Sequence, residues 1–573
     1  MRRSWFFLFL LGFGAIPARQ AVSGPADSLL KLIASDSGLT LIVEDFRARA
    51  GEMAGSPSLA RIEELPAVRG WLASPPYRKA EQAARHIEAA LEVKLERIRD
   101  DILGDALALS LQPGPAGRPD QSRGLLLVKP RDRALLARLV RAIDDAQIRS
   151  GELSSVELRN RGVLGYSARL FKPIGRPPEY YAALDDGTFA WSNSEPLLWG
   201  VLDRKATDQP GLGDDPDFRK VRAGLPARPL ASLFINPRIV ERSMAGGAKA
   251  EGDRASAMIA RYIGSVGQFG LALLWDGGIS LHSSESIAPQ KLDPWLREWL
   301  TGPPVPAVLK GRLSPSTVAV ASLGIDFPAL VEAARDLVTE AERPSLANLR
   351  QLLQGVLLGR DPLTDLVPRL KPGLLLALEV EPDQAIRPRF SVVGAIDWSD
   401  NPGSDPLAGP VANGLRTLMA FHALNPKGRA DHLQVESRTV GETKVTLLTG
   451  GAGTILSGRV DRSRLILGTS PESVARAGPG PVPATLAEIH AGELANASTF
   501  AIVDLPRLVG EVRTLRGPIA RELAGRSRRP VAAADRDLGD LLDFADLFRA
   551  ATFRSTTASD ATEIRRTIKL FAR

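Results

Sequence analysis

The sequence predicts an α+β fold: two tandem copies of one unit, each a mainly antiparallel sheet with helices packed on one face. Three observations predict it. The chain has 573 residues, beyond the size at which a single hydrophobic core stops growing. Segments recur in the same order at an offset of roughly 270 to 280 residues, as a copied unit requires. Alternating strands joined by tight turns outnumber strand–helix–strand crossovers, which favours antiparallel pairing over a doubly wound sheet.

Composition narrows the class further. Hydrophobic residues make up 44% of the chain and charged residues 24%, the balance of a folded globular protein. Cysteine is absent, which excludes a disulfide framework, a thiolate metal site and a lipid-attachment cysteine, so stability rests on packing. The net charge of +7 is small for the length, and both signs are interspersed along the chain. It falls to +5 once Arg2 and Arg3 are removed and to +4 if Arg19 goes with them. No electrostatic case for nucleic acid follows.

The amino end reads as a signal peptide over residues 1–23. Arg2 and Arg3 precede an apolar run from Trp5 to Ile16, and the small residues Ala18, Ala21 and Ser23 follow, with cleavage expected after Ala18 or Ser23. The run is shorter than the roughly 20 residues a spanning helix needs. The mature chain is therefore expected to be exported by the general secretory route, periplasmic or secreted, with no stable transmembrane span after cleavage.

The first copy is placed at residues 24–300 and the second at 317–573. Four pairs of segments carry the repeat. GDALALSLQPG (104–114) answers to PGLLLALEVEPD (372–383), and VELRNRGVLGYSARLF (156–171) to VESRTVGETKVTLLTG (435–450). TFAWSNSEPLLWGV (188–201) answers to RLILGTSPESVARA (464–477), and SLFINPRIV (232–240) to FAIVDLPRLV (500–509). A helix is expected over 131–148, with Leu135, Leu139, Val140 and Ile143 on its buried stripe. A closing hairpin turns at Asp276-Gly277-Gly278. The Pro- and Gly-rich stretch 301–316 reads as a linker, and 245–253 and 525–537 read as mobile surface loops.

A shorter theme occurs four times: an apolar strand, then Asp45, Asn236, Asp326 or Asp504, then a helical pattern. A helix leaves its first amide groups unpaired, so a carboxylate or amide there is expected to cap it. Pro237 and Pro506 suit the first helical turn, where no amide hydrogen is needed.

The search for chemistry returns structural readings. The five histidines, His86, His282, His422, His432 and His490, form no close ligand pair, so no metal is expected. Ser28 and Lys31 satisfy S-x-x-K without the other elements of a penicillin-recognising enzyme. Gly450, Gly451 and Gly453 precede a strand rather than a helix, which suits a hairpin loop and not a phosphate cradle. Asp185-Asp186-Gly187 reads as a turn. No catalytic residue, cofactor or metal ligand is assigned. One interaction surface is proposed: Trp295 and Trp299, four apart and hence on one helical face, either free to meet lipid, glycan or protein, or buried to lock the linker helix against a domain.

The strand-then-D-[LF]-P-x-L-V theme, the tandem copies and the signal peptide together resemble uncharacterised exported bacterial proteins of the domain-of-unknown-function type, especially those of planctomycete-like, GC-rich genomes. The resemblance spans nearly the whole mature chain and carries no functional residue. The expected role is a non-catalytic exported protein that binds an envelope protein, lipid or polymer. The alternatives are an exported hydrolase with a cryptic carboxylate site and a structural spacer of the envelope.

Overall fold

The computed structural model describes residues 24–573 apart from 116–117, 173–175, 240, 242–253, 276–277, 302–312, 381–389, 401–405, 425–432, 452, 478–482 and 495–496. The expected signal peptide, most of the expected linker, the expected 245–253 loop, the Asp276-Gly277 half of the expected closing turn and His432 lie outside the described residues. Two compact units emerge. Unit 1 runs to Leu292 and includes Thr562–Ala572, while unit 2 comprises Asp293–Ala561 with Arg573.

Unit 1 contains β1 (Leu39–Glu44), β2 (Ala106–Gln112), β3 (Arg123–Lys129), β4 (Leu153–Arg161) and β5 (Leu164–Phe171). It continues with β6 (Glu179–Ala183), β7 (Phe189–Ser192), β8 (Ala231–Ile235), β9 (Val266–Trp275) and β10 (Gly278–Ile287). Every pairing is antiparallel, in the order β10-β9-β8-β1-β2-β3-β7-β6-β5-β4.

Unit 2 contains β11 (Thr317–Leu323), β12 (Leu374–Val380), β13 (Phe390–Asp397), β14 (Gln434–Val440) and β15 (Thr443–Gly450). After these come β16 (Gly453–Asp461), β17 (Arg464–Gly468), β18 (Thr499–Asp504) and β19 (Phe548–Thr557). Their antiparallel order is β19-β18-β11-β12-β13-β17-β16-β15-β14. Adding ten to each strand number from β9 to β4 reproduces it. Each of the four matched segment pairs occupies the same position in its own unit.

The last strand, β20 (Glu563–Ala572), departs from the sequence boundaries. Placed by sequence at the end of the second copy, it lies in unit 1, where it pairs with β10 from Gly278↔Phe571 to Ser286↔Glu563.

Strand alternation decides what covers the sheet. In unit 1, Ala106 and Ala108 of β2 and Leu125 and Leu127 of β3 join one core. Leu29 and Leu30 of helix Pro25–Leu30, Leu198 and Val201 of Glu195–Thr207, and Phe218 and Val221 of Pro216–Gly224 complete it. The intervening Leu107 and Val128 join a second core with Leu91, Ile98 and Ile102 of helices Pro75–Leu91 and Leu95–Ile102, and with Leu135 and Leu136 of Arg133–Arg149. Beyond the expected packing on one face, helices here cover both faces of β2 and β3. Fully burying a leucine stabilises by about 1.5–3 kcal/mol, so these two layers dominate the unit's stability. In unit 2, Val393, Val445, Leu447 and Ile466 pack on Val474, and Val509 packs on Leu538 and Leu542.

Two local expectations change. The 525–537 segment is not a loop: helix Arg516–Ser527 ends with Arg528 in the left-handed region and helix Val531–Ala545 begins after Pro530. Arg516 braces the turn through Asp535 at 2.8 Å. In helix Arg133–Arg149, Ile143 is exposed while Asp144 is buried, because that end of the helix receives Arg169.

The junction residues divide. Asp326 accepts from the Ala329 amide at 3.0 Å and Asp504 from that of Arg507 at 3.3 Å, as helix caps. Asn236 accepts from the Arg238 amide at 3.1 Å. Asp45 makes no side-chain cap and sits at φ 52°, held there by its own amide donating to the Asp105 carbonyl at 2.9 Å.

Candidate interaction site

The two tryptophans proposed from sequence share helix Pro294–Thr301, with ring centroids 6.3 Å apart. Trp295 is only 7% exposed. Trp299 is half-buried, and its indole Nε1 donates to the Gly324 carbonyl at 2.5 Å. The pair is thus occupied within unit 2, where its helix packs on Phe327–Leu337.

The remaining sequence candidates serve local structure. Asp186 accepts from the Thr188 amide at 2.9 Å and faces Lys129 and Lys205 at 3.5 and 3.3 Å. Gly187 adopts φ 82° in that turn. Burial alone would raise the Asp186 carboxyl, but the Thr188 amide and hydroxyl and the two lysines hold it down at about 2. Ser28 donates to the Pro25 carbonyl within its own helix. Gly450 pairs with Gly453 across the β15–β16 turn. His86 approaches the Gln82 carbonyl, His282 lies 3.1 Å from both Ser280 Oγ and Thr567 Oγ1, and His490 stacks near Phe500, its pKa lowered by burial. Among the described residues no three of His, Cys, Asp and Glu are grouped to hold a metal.

Two ionic clusters in unit 1 bring acids together. Glu44 accepts from the Ala26 amide at 3.3 Å and lies 3.6 Å from Arg222, which also bonds Asp27. Burial raises the Glu44 pKa despite that guanidinium. Arg169 is buried among Asp144 at 2.8 Å, Glu179 at 2.6 Å and Gln147, and Tyr181 donates to Asp144 at 3.2 Å. In both clusters the carboxylates bond arginines and amides of neighbouring helices and strands, which is the arrangement of structural ion pairs.

An apolar surface is built differently. Helix Ala408–Leu424 lies between β13 and β14, the place Arg133–Arg149 takes between β3 and β4. In unit 1 that helix is covered by Leu91, Ile98 and Ile102, from helices in the β1–β2 connection. In unit 2 the corresponding connection supplies helix Arg343–Val356. Its end packs near Gly414, where an added Cβ would lie 3.1 Å from Leu357, and Asn413 donates to the Val356 carbonyl at 2.8 Å. Further along the same stripe the cover stops among the described residues. Leu418, Phe421 (49% exposed) and Leu424 (79%) stand open, as do Leu346, Leu349 (48%) and Leu352 on Arg343–Val356. Exposed apolar residues scattered singly need no explanation, whereas six on two packed helices mark a contact surface.

Charge on this surface is one-sided. The sequence from Pro406 to Ala430 contains no Asp or Glu, and from Ser345 to Arg360 none either. Arg416 and His422 are exposed on the 408–424 helix, whereas Arg350 is engaged by Asp361. Sequence reasoning passes over these helices because leucines at helical spacing read as core, and the missing cover comes from a different connection. The absence of carboxylates was the available signal. Among the described residues no helix is long and apolar enough to cross a membrane. Comparisons of the chain with protein-family models, with curated proteins and with solved structures return no match.

Proposed function

We propose that the chain is an exported, non-catalytic protein that binds a cell-envelope component, and that this component is lipid: an anionic bilayer surface met by the apolar face of the 343–356 and 408–424 helices. The observation that carries the reading is Phe421, half exposed between Leu418 and Leu424 on a helix that has no carboxylate. Apolar side chains beside Arg416 and His422 suit the boundary between headgroups and acyl chains, where buried apolar area and attraction to anionic lipid add together. Export is supported by the basic start, apolar run and small residues of the amino end. Descent of the two units from one copied ancestor, as in the exported proteins the sequence resembles, is supported by their shared strand order and the collinear segment pairs.

Flotation of the full chain with phosphatidylglycerol vesicles, against phosphatidylcholine vesicles, tests the lipid reading. The chain is expected to float with the anionic vesicles and to be released as salt rises. Phe421→Glu and Leu349→Glu are expected to weaken flotation at least tenfold, about 1.4 kcal/mol, with thermal unfolding unchanged. A chain that stays at the bottom of the gradient with both vesicles, even at low salt, sinks the reading and leaves a protein partner or a spacer role.

A further inference from the structure

The seam between β10 and β20 is built for one partner sequence. Of β10, Ser280, Ser283, Ser284, Glu285 and Ser286 are buried, an unusually polar set for a strand paired on both sides. Three of its polar side chains meet specific groups of β20. Glu285 bonds Arg566 and accepts from Tyr262 at 2.6 Å; Ser284 donates to Glu563 at 3.0 Å; His282 meets Thr567 at 3.1 Å. Arg565 holds Glu563 at 2.7 Å, and Gly224 makes room, since a Cβ there would fall 2.0 Å from the Glu563 carboxylate. A generic apolar strand would leave Ser284 without its glutamate and Glu285 without its arginine, and poorly paired buried polar groups are costly.

The strand that satisfies this edge arrives through a tight turn. Between the end of β19 at Thr557 and the start of β20 at Glu563, Ala561 adopts φ 55°, and its amide donates to the Ala558 carbonyl at 2.9 Å. A non-glycine residue in the left-handed region is strained. Opening the turn removes that strain, while every β10–β20 contact can be remade with another chain.

We propose that β20 is exchangeable between copies, so that two chains form a dimer in which each completes the other's unit 1. The occupant of the β10 edge is a second copy of this chain, because only its residues 563–572 reproduce the pairs with Glu285, Ser284 and His282. Exchange of an identical element is a low-cost route to dimers, and a strained hinge favours it. This proposal is independent of the lipid reading.

The cysteine-free sequence permits a clean test. Leu281 and Ile568 are register partners across the seam and both are exposed. Full chains carrying Leu281→Cys alone and Ile568→Cys alone are mixed at high concentration, diluted and oxidised. A disulfide-linked heterodimer is expected, at several times the yield from Leu158→Cys mixed with Ile568→Cys, Leu158 being exposed on β4. Light scattering on the unsubstituted chain should show a dimer fraction that grows with concentration. Ala561→Gly, which relieves the closed turn, should lower that fraction severalfold. A chain monomeric at every concentration, or a heterodimer yield no greater than the control, overturns the proposal. A dimer that Ala561→Gly leaves unchanged also overturns it, because the turn is its stated cause.

Discussion

Arg169 Nε lies 2.8 Å from Asp144 Oδ1, with both side chains at most a tenth exposed, joining β5 to helix Arg133–Arg149. Glu179 receives a second guanidinium nitrogen at 2.6 Å. Truncating one partner of a buried pair leaves the other charge without compensation, which costs about 3–5 kcal/mol. Arg169→Ala is therefore expected to destabilise the protein by about 3 kcal/mol in urea unfolding. The joint replacement Arg169→Met with Asp144→Leu should cost less than either single change. Equal losses from the single and joint changes would show that packing, not charge, holds this contact.

Asp186 makes a pH-dependent contribution. Its carboxyl is held down at about 2, against an ordinary 3.8, chiefly by the Thr188 amide and the neighbouring lysines working against burial. A depressed acid stabilises the fold above its unfolded value, and that stability disappears as pH falls through the folded value. Asp186→Asn should cost about 1 kcal/mol near neutrality after solvent screening. The difference should close between pH 3.8 and about 2. A deficit that persists at the acid end would contradict the assignment.

Glu44 has the opposite sign. Burial raises its pKa above 4.5, with Arg222 opposing. The folded state then binds the proton more tightly, so the contribution is full below pH 4.5 and is lost as pH rises through the raised value. Glu44→Gln keeps the protonated shape and should gain on the wild type over that same interval, retaining the gain at neutral pH. Denaturant midpoints followed against pH check this, and parallel curves for the two proteins would refute it.

The four junction residues offer a graded comparison. Asp326→Ala and Asp504→Ala should each cost about 1 kcal/mol, the usual loss of a helix cap. Asp45→Gly should cost nothing or stabilise slightly, since Asp45 caps no amide and glycine prefers its positive φ. Thermal unfolding of the three variants reads the ranking directly. A loss at Asp45 as large as that at Asp504 would reverse the reading of its conformation.

Legibility from sequence followed the range of the interaction. The antiparallel α+β class rests on strand alternation and turn residues, which act over a few positions, and so do the caps at Asp326 and Asp504. The Asp185-Asp186-Gly187 turn is local in the same sense. Misreadings arose where a distant partner decides the outcome. Gly525 to Asp537 looks like a loop by composition, yet Arg516 and Asp535 brace a helical turn there. Ile143 belongs to an apolar stripe by spacing, but Arg169 draws Asp144 inward instead. The exposed leucines of Arg343–Val356 follow core spacing, and nothing local to them records that no described helix covers them. The place of β20 is the extreme case, since its pairs with β10 span 279 to 285 residues.

That placement sets an order of events. A chain made from its amino end delivers β10 long before β20, with residues 293–561 coming in between. Unit 1 must wait, one strand short, until synthesis is nearly complete. An unpaired edge in that interval is a template for wrong pairing. Glu285, Ser284 and His282 of β10 make it a poor one, because their partners Arg566, Glu563 and Thr567 come last.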